Sequence, residues 1–195
     1  MKKWNFKIQI FGEFIFARRK ADDPYLLSRL FKYFWNCKIS TCFITEQILT
    51  VAEYEKLVKV VERLHMKNVR IVDAKNELIP VEILLEIGIN LRDFCLELRK
   101  NHFYDKSFYG ICSLETAQKL EKHIRPKKFR HLCLSQIPDN IDFDALIKFI
   151  KNNTDTNASI VIQFRNEIGG TNVVDRLTDV FRDSLFTYKW LIYFD

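Results

Sequence analysis

Two hexapeptides, Leu91-Arg92-Asp93-Phe94-Cys95-Leu96 and Phe129-Arg130-His131-Leu132-Cys133-Leu134, share Arg, Cys and Leu at matching places. In both, apolar residues fall at the first, fourth and sixth positions, which reads as a short strand. After the second comes a polar bend with a proline (Ser135, Gln136, Pro138, Asn140). Asp142 then opens an apolar-periodic segment with Leu146, Ile147 and Ile150, which reads as a helix. A chain that repeats strand, bend and helix in one direction is restricted to parallel strands joined by crossovers.

Other stretches fit the same layer. Trp4, Phe6, Ile8 and Ile10 alternate as a first strand, and Gly12 offers a turn into a hairpin, so residues 1–20 are expected to form an initial strand or hairpin. Asp22-Asp23-Pro24 is a helix start, followed by Leu26, Leu27, Leu30 and Phe31 on one face. Thr50-Val51-Ala52-Glu53 is a capping box, and Tyr54, Leu57, Val58, Val61 and Leu64 predict a helix running to Leu64. Ile79-Pro80 predicts a short helix over Val81–Ile87 that Gly88 ends. Ser113 opens a helix stopped at Pro126, and Gly169-Gly170 turns into another through Val174 and Leu185. Ala158–Phe164 and a final segment around Leu191 read as strands.

Around Phe34, Cys37, Ile39, Cys42 and Ile44 the spacing is that of a leucine-rich repeat, L-x-x-L-x-L-x-x-N/C-x-L. With Cys37, Val69, Phe94, Leu132, Ile160 and Leu191 as strand markers, the units recur at irregular intervals of about 25–38 residues. The fold expected is therefore α/β: one domain over 1–195, an irregular leucine-rich-repeat-like solenoid of parallel strand–helix units. An open doubly wound parallel sheet is the alternative. In the solenoid, strand positions on the concave face carry recognition. Counted from those markers they are Lys38 and Ser40, Arg70 and Val72, Cys95 and Glu97, Cys133 and Ser135, and Val161 and Gln163.

No reaction is legible. Gly169-Gly170 lacks GxGxxG or GxxxxGK spacing and reads as a helix-entry turn rather than a phosphate cradle. The four histidines fall in no HExxH pattern, and the five cysteines, odd in number, form no CxxC pair. These observations predict no catalytic residue, no metal and no cofactor. Cys95 and Cys133 recur at one strand position and are read as packing residues. Reduced cysteines place the chain in an intracellular compartment, cytoplasmic or nuclear. No apolar run reaches the roughly 18 residues of a membrane span. The net charge of +6 comes from 31 basic against 25 acidic residues. Its clusters, Arg18-Arg19-Lys20 and Arg125–Arg130, read as solubility rather than as a nucleic-acid patch.

The segment Leu30-Phe31-Lys32-Tyr33-Phe34-Trp35-Asn36-Cys37, leading into a strand, resembles nematode F-box-associated domains. So does the layout of aromatic or aliphatic strand and short helix from Val69 onward, and the resemblance covers Asp23–Asp195. It implies a substrate-capturing α/β module whose F-box, elsewhere, binds the Skp1 adaptor of a ubiquitin ligase. Ile79–Ile87 is similar to an F-box opening, yet it lies inside the array and is assigned to it. A Skp1-type adaptor is thus expected only if an F-box is present elsewhere. The function expected is a non-enzymatic protein-interaction module with a protein partner. An unrecognised α/β enzyme or nucleotide binder, and nucleic-acid binding through the basic clusters, are the alternatives.

Overall fold

The computed structural model describes residues 10–16, 23–33, 37–98, 110–138, 140–164 and 189–194, with only the backbone of Phe11 and of 189–194. In chain order the elements are β1 (Phe11–Phe16), α1 (Leu26–Phe31), β2 (Lys38–Thr45), β3 (Ile48–Thr50) and α2 (Val51–Val58). There follow β4 (Arg63–Lys67), β5 (Arg70–Val72), α3 (Val81–Ile87), β6 (Asp93–Glu97) and α4 (Thr116–Glu121). The last are β7 (Phe129–Ile137), α5 (Phe143–Asn153), β8 (Thr154–Phe164) and β9 (Lys189–Phe194). The helix expected over Val174–Leu185, the alternation at Trp4–Ile8 and the cluster Arg18–Lys20 lie outside the described residues.

The protein is α/β with a parallel sheet. Among the described residues the large sheet has the order β1-β2-β4-β6-β7-β8-β9, and every neighbouring pair is parallel. Each strand lies beside the strand of the preceding unit, so the order never reverses. A doubly wound sheet is defined by such a reversal. β3 and β5 form a second, two-stranded parallel sheet.

Register explains what is buried. Cys42, Leu64, Phe94, Leu132 and Ile160 face one another across the sheet, as do Ile44, Met66, Leu96, Leu134 and Ile162. All ten side chains are buried with the apolar faces of the helices in one core. Three residues before each of the first four strand centres stands another buried residue, Ile39, Val61, Leu91 and Phe129. The period of 2 belongs to the strand, and the extra residue before it marks the bend through which the chain enters. Two residues after the second core position, Glu46, Asn68 and Gln136 adopt left-handed φ of 52°, 51° and 62°. Backbone bonds continue the ladder beyond the strands: Glu46 N donates to Lys67 O, Asn68 N to Glu97 O, Glu62 N to Ser40 O, and Arg92 N to Glu62 O.

The first units are framed differently from the sequence reading. β2 pairs with β4, and β3 with β5, at one offset of 22 residues, Cys42 opposite Leu64 and Leu49 opposite Ile71. The strand markers are thus Cys42 and Leu64, not Cys37 and Val69. For the second the reason lies in Val61 and Leu64, whose spacing suits both a continuing helix and the entry to a strand. In the fold α2 stops at Val58, and Leu64 belongs to β4. Gly12 sits inside β1 at φ 80°, where the register with β2 shifts, rather than in a hairpin turn.

Two capping signals that depend on adjacent residues hold, whereas Ser113 does not cap α4, which begins at Thr116 after Glu115. Thr50 and Glu53 form the capping box of α2, with Glu53 N donating to Thr50 Oγ1 and Thr50 N to Glu53 Oε2. Thr50→Ala should cost about 1 kcal/mol of unfolding free energy, read from urea denaturation. Asp142 caps α5 by accepting from Ala145 N, and this bond, ahead of lesser contributions, holds its carboxyl below the ordinary value. A carboxyl lowered in the folded state stabilises above its unfolded pKa and loses that contribution as pH falls through its folded value. Asp142→Asn should therefore flatten part of the acid limb of the stability profile while changing little near pH 7.

Gly88 ends α3 for a different reason from left-handed freedom, since its φ is −80°. A Cβ there would come within 2.8 Å of Leu91 Cδ1, 3.0 Å of Tyr54 Oη and 3.1 Å of the Leu84 carbonyl. Tyr54 is fully buried, and its hydroxyl donates to Leu84 O at 2.9 Å, so it cannot yield without losing that bond. Gly88→Ala should lower the urea midpoint by the equivalent of about 1–3 kcal/mol, as overpacking does.

Candidate functional site

The helices cover one face of the sheet. The other face carries the odd register positions: Phe43, His65, Cys95, Cys133 and Val161 in one row, and Thr41, Arg63, Asp93, His131 and Ser159 in the next. On β4 and β6 the contrast is regular, with Leu64, Met66, Phe94 and Leu96 buried and their neighbours half-buried. This open face is the candidate site.

Of the positions chosen from sequence, Cys95, Glu97, Cys133, Val161 and Gln163 lie on it, because their units were framed correctly. Ser135 does not follow the alternation. The register shifts after Leu134, Gln136 turns left-handed, and Ser135 is buried, its hydroxyl without a hydrogen-bond partner. Lys38 and Ser40 are exposed at the entry to β2, before the shift that places Gly12 opposite Ile39 and Glu13 opposite Thr41. Arg70 and Val72 are on β5, in the small sheet, with Val72 buried. The shifted frame puts Phe43 and Thr45, and His65 and Lys67, where those two pairs were expected.

At the centre of the face, one titratable cluster spans three strands. His65 on β4 is in register with Cys95 on β6, and Cys95 with Cys133 on β7. His131 precedes Cys133 by two residues and shares its face. One nitrogen or sulfur from each of His65, Cys95 and His131 lies within 4.8 Å of the others. The two imidazoles are stacked at 5.8 Å between centroids and 20° between planes, and Phe43 stacks on His65 at 4.6 Å.

The Cys95 thiol interacts with the side chains of Cys133, His131 and His65. The interaction with Cys133 and then burial push it up to about 12, against a smaller downward pull from the histidines. The metal-free thiol is therefore protonated at neutral pH and is a poor nucleophile. Neither His65 nor Cys95 nor His131 stands in a recognised ligand motif. Motif spacing describes ligands on one turn or one helix, whereas this group is assembled by strand register between residues tens of positions apart.

The basic cluster Arg125–Arg130 is divided by the fold. Arg125 is buried and donates to the carbonyls of Leu85, Gly88, Ile89 and Leu91 at 2.8–3.0 Å, with its guanidinium 3.9 Å above the Phe129 ring. Burial pulls its pKa down to about 10, which leaves it charged at neutral pH. Arg130 pairs with Asp93. Two of the cluster's four cations are thus engaged within the protein. The Ile79–Ile87 fragment forms α3, and its Val81, Leu84 and Leu85 are buried in the core. Among the described residues, no helix is long and apolar enough to cross a membrane.

No protein-family model, curated protein or solved structure matches this chain.

Proposed function

We propose that this chain is a non-enzymatic protein-interaction module, an irregular leucine-rich-repeat-like solenoid that binds a protein partner on its open sheet face. The observation that carries the reading is that, among the described residues, the helices lie on one face of the sheet and leave the other to strand side chains. Parallel sheets are ordinarily covered on both faces, because their crossovers place helices there. Solenoids are an exception, and their strand-lined face is where partners dock. The solenoid form is supported by the sequential strand order, the recurring buried L-x-x-L-x-L positions and the left-handed Glu46 and Asn68 after β2 and β4.

The face mixes Arg63, Lys67, Asp93 and Glu97 with Phe43 and Val161. That composition suits a protein surface of mixed charge better than a polyanion. Five cysteines that form no disulfide among the described residues suit a reducing, intracellular compartment. Substrate recognition within an F-box-type ligase is the narrower form of this reading. It requires an F-box outside α3, because α3 spends Val81, Leu84 and Leu85 on the core.

Site-specific photo-crosslinking tests the proposal. A photoreactive residue at Gln163 or Glu97 should capture a partner that the same probe at Glu55, exposed on α2, does not. Capture from Glu55 alone would sink the open-face reading. Co-recovery of Skp1 with the chain would support the ligase form.

A further inference from the structure

We propose that His65, Cys95 and His131, with Cys133 as the fourth ligand, bind a zinc ion on the open face of the sheet. The residue set is the first argument. Two imidazoles and two thiols are a borderline-soft donor set suited to tetrahedral zinc, whereas calcium and magnesium require oxygen ligands. Zinc bonds of about 2.0–2.3 Å put neighbouring tetrahedral ligands about 3.3–3.8 Å apart. The atoms of His65, Cys95 and His131 already lie within 4.8 Å of one another without an ion, so small side-chain rotations suffice. Cys133 stands in register with Cys95 across the β6–β7 ladder, two residues beyond His131, and is the further thiol on the same face.

Placement is the second argument. The ligands stand on β4, β6 and β7, three adjacent strands whose register is fixed by backbone ladders. The ion would meet a nearly preformed site, with little backbone ordering to offset. Phe43, stacked on His65, holds that ring in place from the far side. His65, Cys95 and His131 are half-buried, which leaves a path from solvent. Binding converts the two thiols to thiolates and releases two protons to solvent. The ion joins three units of the sheet on the side opposite the described helices. This site is independent of the docking reading, since it needs no partner.

The test uses the full chain, reduced and freed of metal by chelation, and titrated with cobalt(II). Saturation is expected at one equivalent, with the intense visible bands of tetrahedral cobalt and a near-ultraviolet sulfur-to-cobalt charge-transfer band, all displaced by one equivalent of zinc. Cys95→Ser and His131→Gln should each abolish these bands. Circular dichroism of the metal-free variants verifies that they remain folded. Cys133→Ser should keep binding with lower affinity and about half the charge-transfer intensity. Zinc should raise the unfolding temperature of the wild-type chain and not that of Cys95→Ser. A wild-type chain that gives only the pale spectrum of octahedral cobalt, or bands that survive in Cys95→Ser, would overturn the proposal. An unchanged charge-transfer band in Cys133→Ser would overturn the fourth ligand.

Discussion

Arg125→Ala is expected to be the most destabilising single change outside the apolar core, by about 4 kcal/mol or more in urea unfolding. The guanidinium is the shared donor for four carbonyls where α3 ends and the chain turns toward β6, those of Leu85, Gly88, Ile89 and Leu91. The last carbonyls of a helix have no intrahelical partner, and here they are turned inward. A buried acceptor left without a donor costs about 1–3 kcal/mol, and several would be orphaned together. Local relaxation and entry of water keep the sum below simple addition. The lost stacking on Phe129 adds to the loss. Arg125→Lys should recover only part, because a single ammonium cannot present the planar fork that reaches divergent carbonyls. A midpoint within experimental error of wild type would show that these carbonyls find other donors.

Asn153→Ala should cost about 3 kcal/mol by the same measurement. Asn153 is fully buried at the end of α5. Its Oδ1 accepts from Arg125 N at 2.8 Å, and its Nδ2 donates to His123 O and Phe149 O at 2.9 and 2.8 Å. One amide thus ties the segment after α4 to the last turn of α5. Removing it orphans the Arg125 N–H and the His123 carbonyl, while Phe149 O keeps its helical donor. Asn153→Asp offers a sharper check. The carboxylate can still accept from Arg125 N, yet it would face two carbonyls that the amide now serves. Its folded-state pKa would be raised, so the variant should lose stability as pH rises through that value. Because the Asn153 side chain holds the backbone N–H of Arg125 and so positions its guanidinium, a double-mutant cycle should show coupling between them.

Local chemistry made much of the fold legible. The capping box at Thr50 and Glu53, the Asp142 cap, and the strands centred on Phe94, Leu132 and Ile160 follow from neighbouring residues and hold in the structure. The misframing of the second unit has a physical origin. A strand entered through a three-residue step, as at Val61 to Leu64, is locally indistinguishable from another turn of helix. That slip moved the expected face from His65 and Lys67 to Arg70 and Val72, and with it separated His65 from Cys95. The buried role of Arg125 was illegible for another reason. Its partners are carbonyls 34–40 residues away, and carbonyls carry no sequence signature.

The amino-acid sequence by itself determined that strands and helices alternate, that successive strands run parallel, and which side chains within a unit point inward, because period and capping are properties of adjacent residues. Only the tertiary structure decided which strand lies beside which and at what offset. Register comes from the packing of whole units, and a displacement of a few residues costs nothing locally while exchanging every cross-strand neighbour. The open face, and the meeting of His65, Cys95, His131 and Cys133 upon it, exist only at that level.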